Sequence, residues 1–219
     1  YAAFAGVIYF TQASSGSVAQ SVFMSNTAMF DAGCILIDNS IFTMSKSHAE
    51  NNEARDNGGV ILLQTGSVMN ISGSSFNRNS VGGPQKAGAG YGAAIFLSRS
   101  TDSVISTSTF ASNDALEFGA LYSADCTFHL EHCIFKENRA QIGGAVVVDR
   151  TTRGTIFGGD FSNNTAKLRG GAIALRGLAK LKITSATVGP YNRVLADHGE
   201  GGGISVNAFT VLTAEGIHV

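Results

Sequence analysis

Charge is what this sequence has least of. Asp, Glu, Lys and Arg make up 14% of 219 residues, with 15 basic and 16 acidic side chains and a net charge of -1. Soluble domains average roughly 25%. The Lys and Arg are not clustered, so there is no electrostatic reason to bind nucleic acid or an anionic membrane. Long apolar runs are missing too. No stretch approaches the ~18 to 20 apolar residues of a membrane span, and residues 1–20 lack the charged start and small-residue cleavage site of a signal peptide. The three cysteines, Cys34, Cys126 and Cys133, are an odd number without metal-ligand spacing. They are expected to be small buried residues; Cys126 and Cys133 pair only if the chain turns between them.

What the chain does have is repetition. A Gly-small-apolar triplet occurs as Gly6-Val7-Ile8, Gly33-Cys34-Ile35, Gly59-Val60-Ile61, Ala93-Ala94-Ile95, Gly119-Ala120-Leu121, Gly144-Ala145-Val146, Gly171-Ala172-Ile173 and Gly202-Gly203-Ile204. Successive copies are separated by 27, 26, 34, 26, 25, 27 and 31 residues. A period of this size is the signature of a solenoid or propeller. Between the triplets runs Phe-x-x-Asn: Phe23 to Asn26, Phe76 to Asn79, Phe110 to Asn113, Phe135 to Asn138 and Phe161 to Asn164. His48 to Asn51 stands as a degenerate copy, and the last repeat has Val188 in place of Phe.

Within each repeat the apolar residues alternate with period two, a strand signal. The triplet's apolar residue and the residue two further on are apolar at fifteen of sixteen positions, Ser123 being the exception. Five residues before each Phe sit Val18, Thr43, Ile71, Ile105, Leu130, Ile156 and Ile183, with Thr43 out of character. Two or three short strands per repeat make one coil of a parallel β-helix, each coil ~4.8 Å above the last. The expected fold is therefore all-β, a single β-helix of about eight coils over residues 1–219. Because the pattern is already running at both ends, the chain is expected to be a segment of a longer protein or a mature product. A leucine-rich repeat is excluded by the missing L-x-x-L-x-L skeleton, and a propeller by the short period. Gly at a corner opens backbone angles closed to other residues. Phe stacks on its own copies, and the Asn column (Asn26, Asn51, Asn79, Asn113, Asn138, Asn164) is expected to form a ladder of amide hydrogen bonds at a left-handed bend.

The Gly-Gly-Ala-Ile of Gly170 to Ile173, alternating with Phe-x-x-Asn, resembles the repeat pair of the chlamydial polymorphic outer-membrane proteins and other surface β-helix proteins. It covers essentially the whole chain. The resemblance implies a right-handed β-helix exposed outside the cell or on its surface, often adhesive.

Catalytic signals are weak. The column three residues after each anchor, which includes Asp38, Asp149 and Arg176, never places two acids on consecutive coils. Asp149 beside Arg176 is expected to be a cross-coil ion pair. His129, Glu131 and His132 offer at most two converging ligands, and Glu50 to Glu53 is expected to be a solvated turn. No catalytic residue, metal site or cofactor is assigned. Asn70 and Asn163 match the N-glycosylation pattern, which permits secretion. The outward neighbours of the anchors, Tyr9, Leu36, Leu62, Phe96, Tyr122 and Val147, form an apolar stripe flanked by small residues such as Cys34 and Ala94. An open stripe of this length exceeds what a soluble monomer exposes. It is expected to pack against protein, either copies of itself or other parts of a larger surface assembly; the alternative is cover by Val81–Tyr91 or Asp197–Gly201. The functional expectation is a non-catalytic structural or adhesive segment, with a polysaccharide-binding or polysaccharide-cleaving β-helix as the alternative.

Overall fold

The computed structural model describes residues 4–82 and 89–218. Thirty short strands and no helix occur among them. They form four parallel sheets. Sheet I runs from Ile8–Phe10 to Ile204–Val206 and sheet II from Ser15–Ala19 to Val211–Glu215, each with eight strands. Sheet III, from Val22–Met24 to Thr187–Val188, and sheet IV, from Thr27–Ala28 to Arg193–Val194, have seven strands each. Every strand pairs with its counterpart one coil away, so the chain winds about seven full turns. The fold is a β-solenoid.

Side-chain alternation explains why these segments stack. In sheet I, Ile35, Ile61, Ile95, Leu121, Val146 and Ile173 lie in register and point inward at 0% exposure. In sheet III the phenylalanines pile up along the axis: Phe76 on Phe110, Phe110 on Phe135 and Phe135 on Phe161, with ring centroids 4.8, 4.5 and 5.0 Å apart and planes within 7°. Where a Gly pair leads into the anchor, its two members have separate duties, seen at Gly170 and Gly171. Gly170 takes φ +58°, and a Cβ on Gly171 would collide with the carbonyl oxygen of Gly202 in the next coil.

The asparagines form a continuous ladder. Its members are Asn26, Asn52, Asn79, Asn113, Asn138, Asn164 and Asn192. Each side-chain NH2 donates to the Oδ1 of the next, at 2.9–3.1 Å. From Asn52 onward it also donates to the backbone carbonyl of the residue in the Phe column one coil back, as Asn113 does to Phe76 at 3.1 Å. Oδ1 in turn receives the backbone N–H of the preceding ladder residue, for example Asn79 N–H to Asn113 at 3.0 Å.

Asn51 is therefore corrected to Asn52. Phe23, Ala49 and Phe76 are the residues in register, so the second repeat is one residue later than an alignment on His48 implies. The same slip accounts for Thr43: Met44 pairs with Val18 and Ile71 and is buried. The supposed solvated turn from Glu50 to Glu53 likewise holds Asn52, at 0% exposure. The left-handed bend also belongs to a different residue. It is taken by the residue before each ladder Asn: Ser25, Asn51, Arg78, Ser112, Glu137, Asn163 and Tyr191 have φ between 51° and 63°.

Candidate functional site: a groove along sheet IV

The apolar stripe is not an open surface. Leu36 and Leu62 are 4% exposed, Tyr122 3% and Val147 0%; Phe96 is half-buried, and Tyr9, in the first coil, is exposed. The flanking small residues from Cys34 to Ala172 belong to the main core and not to the outside. From Leu36 to Val147 the cover comes from the coils themselves. Three or four residues ahead of the anchors, Asp31, Asn57, Tyr91, Phe118 and Ile142 bridge one another in parallel. This strip lies over the outer face of sheet I.

Tyr91 stacks on Phe118 at 4.8 Å, and Phe118 on Tyr122 at 5.1 Å. The Arg176 guanidinium sits 4.5 Å from the Phe118 ring centre and 3.7 Å from Asp149, which accepts a hydrogen bond from Tyr122 OH at 3.1 Å. Burial, with Asp149 adding to it, pushes the Tyr122 hydroxyl well above its ordinary range. Of the two segments that sequence offers as covers, Tyr91 takes part in the strip. Glu200 extends the register by its bridge to Arg169, and residues 83–88 lie outside the described residues.

The concave surface is elsewhere, along sheet IV. One position after each ladder Asn, the backbone returns to extended geometry and the side chain points outward. Thr27, Glu53, Ser80, Asp114, Arg139, Thr165 and Arg193 thus form one column in register. The left-handed bend residues make one rim, with Arg78, Glu137 and Tyr191 prominent on it. The residues two after the column make the other, with Leu116, Lys167 and Leu195. Two depressions of about 480 and 590 Å³ share Asp114, Arg139, Thr165 and Arg193 and so form one groove parallel to the solenoid axis. Tyr191 is 77% exposed on its edge.

Charge along the groove is uneven. Glu53 and Asp114 lie in the early coils, while Arg139, Lys167 and Arg193 lie in the later ones, with Glu137 on the rim beside them. Glu137 accepts a hydrogen bond from Ser112 at 3.0 Å. No carboxylate among the described residues is within ion-pair distance of Arg139, Lys167 or Arg193.

A family model described as the right handed beta helix region matches residues 8–188. The chain belongs to this right-handed β-helix family. Comparison with curated proteins and with solved structures gives no match.

Other polar clusters of this β-helix are networks on flat faces. His48 holds Ser75 Oγ at 2.6 Å through Nδ1 and Glu50 at 3.0 Å through Nε2, while Arg78 donates to Glu50 at 2.8 Å. Ser, His and Glu are linked in the order a nucleophile would need. They stand on the open outer face of sheet III, however, and Arg78 and Asn77 are both spent on Glu50. The hydrogen bond from His48, aided by Arg78, draws the Glu50 carboxyl below its usual range. His129 bonds Thr155 at 2.7 Å, and His132 lies edge-on to Phe157. No metal-holding group of three or more His, Cys, Asp or Glu occurs among the described residues. Asn70 is exposed in mid-strand on sheet II, and Asn163 is exposed at a bend on the groove rim.

Sequence reasoning missed the groove column. The signal was present as a register, the residue following each ladder Asn, but it carries no common residue type.

Proposed function

We propose that this β-helix is a non-catalytic adhesive segment of an extracellular surface protein, and that it holds an extended carbohydrate chain in the sheet IV groove. The observation that carries the reading is the groove floor: one outward side chain per coil, polar from Glu53 to Arg193, beside the exposed ring of Tyr191. A linear polymer laid along the axis meets the same step every ~4.8 Å, so weak contacts add along its length. Such sites need orienting polar groups and an aromatic face more than depth. Self-assembly through the Tyr9 to Val147 stripe loses its support, because that face is covered by the chain's own strip from Leu36 onward.

Cleavage is the competing reading, since Asp114 and Glu137 face one depression. Both lie in open solvent, whereas a catalytic acid or base works best where water is excluded.

Affinity electrophoresis through gels containing neutral and acidic polysaccharides tests the proposal. Retardation by at least one polymer, weakened severalfold in Tyr191→Ala and unaccompanied by new reducing ends, is the expected result. Free migration in every gel would overturn carbohydrate binding, and release of reducing ends would overturn the non-catalytic part.

A further inference from the structure

We propose that the polymer is acidic, with its carboxylate or sulfate groups held between Arg139 and Arg193. This rests on the carbohydrate reading above. In a chain with so few charges, three cations without a carboxylate partner converge on the later half of one groove. Arg139 and Arg193 are each exposed and flank Thr165 in the same column. They are therefore two rungs, about 9–10 Å, apart along the axis. That is close to the length of a disaccharide, so a polymer presenting an acid on alternate sugars, or on every sugar of a two-fold chain, meets an arginine at each repeat. Arginine's planar fork suits a carboxylate or sulfate better than a lysine does. Lys167, on the opposite rim, adds a third cation to the same stretch.

The nearby acids limit the footprint. Asp114 lies one rung before Arg139, and Glu137, although hydrogen-bonded to Ser112, shares the depression. An acidic chain is repelled from the early coils, so it runs from Arg139 to Arg193, the last rung of the column. The exposed Tyr191 beside Arg193 offers a ring for a sugar face.

Surface plasmon resonance on immobilised hyaluronate and chondroitin sulfate, the first compared with its carboxyl-reduced form and the second with its carboxyl-reduced and desulfated form, decides the matter. The wild-type chain should bind at least one acidic polymer and bind its neutral counterpart at least tenfold more weakly. Binding should also weaken as salt rises. Arg139→Ser and Arg193→Ser should each cost roughly tenfold or more, the loss expected for a charge-assisted hydrogen bond. Arg153→Ser, on the outer face of sheet II, should cost nothing. All three arginines are exposed, so thermal melting should confirm that the variants stay folded. Equal binding of acidic and neutral polymers, with both lost in Tyr191→Ala, would overturn the charge inference and keep the carbohydrate reading. Binding to none of the four polymers, together with free migration in all the polysaccharide gels, would overturn both.

Discussion

At the scale of single residues, the ladder shows what an asparagine amide does when all of its hydrogen-bonding capacity is used. Asn113 accepts from both Asn79 groups and donates to Asn138 and to the Phe76 carbonyl. Asn113→Ala would take one partner from the Asn79 side-chain NH2, which keeps only the Ala49 carbonyl, and would remove the side-chain partners of the Asn79 backbone N–H and the Phe76 carbonyl, all buried. At about 1–3 kcal/mol for each unsatisfied group, the substitution is expected to cost about 3 kcal/mol or more. Asn51→Gly is the contrast, since Asn51 is exposed and left-handed and glycine accepts that geometry freely; its stability should change little. Urea titration of both variants checks the pair, and equal losses would mean that the ladder is not where the energy lies. Sequence identifies the ladder at five of its seven members because Phe marks the register. It slips at Asn52, where Ala49 fills the Phe position. It also misses Asn192, which lies four residues after Val188, one more than the other repeats allow.

At the scale of elements, sheet I is buried on both faces, and the two burials differ in legibility. The inner face repeats one chemistry, Ile, Leu or Val, so periodicity exposes it. The covering strip repeats a position but not a chemistry: Asp31, Asn57, Tyr91, Phe118 and Ile142 share a bridge pattern and nothing a sequence comparison would align. The groove column was hidden for the same reason. Its members range from Glu53 to Arg193, and what unites them is their distance from an asparagine that is itself hard to place in two coils. A covered stripe makes a different prediction from an open one. Leu62→Ser should lower stability by about 2–5 kcal/mol, as truncation of a buried leucine does, and leave the molecular mass in solution unchanged. Melting curves and sedimentation velocity together check this. A smaller assembly with unaltered melting would restore the stripe as an intermolecular contact.

At the scale of the whole molecule, a solenoid's coils contact only their neighbours, so its stability is close to a sum over coils and interfaces. A weak coil in the middle therefore matters to both halves. The coil around Thr127–Glu131 stands near the middle and carries two of the three buried thiols. Cys126 and Cys133 flank that strand, at corners where other coils carry serine, such as Ser40 and Ser67 on one side and Ser47, Ser74 and Ser108 on the other. Burial pushes the Cys126 thiol up to about 12 and the Cys133 thiol to about 11, and does the same for Cys34, to about 12. All three are free and buried.

In the unfolded chain these thiols release their protons near the ordinary value of 9.0, so above that pH the folded state holds protons that the unfolded state has lost. Stability is then full below pH 9 and falls as pH rises toward 11 or 12, each thiol withdrawing about 1.4 kcal/mol per pH unit. Tyr122 adds to the loss above pH 10, since its hydroxyl is raised as well. Replacing Cys126 and Cys133 together with serine, the residue that other coils use at those corners, should remove two of the three thiol contributions and flatten the alkaline slope accordingly. Chemical denaturation at intervals from pH 8 to 11 would measure it. Identical slopes for wild type and double variant would show that the thiols are already ionised or solvated in the fold, and that alkali attacks the column somewhere other than its middle coil.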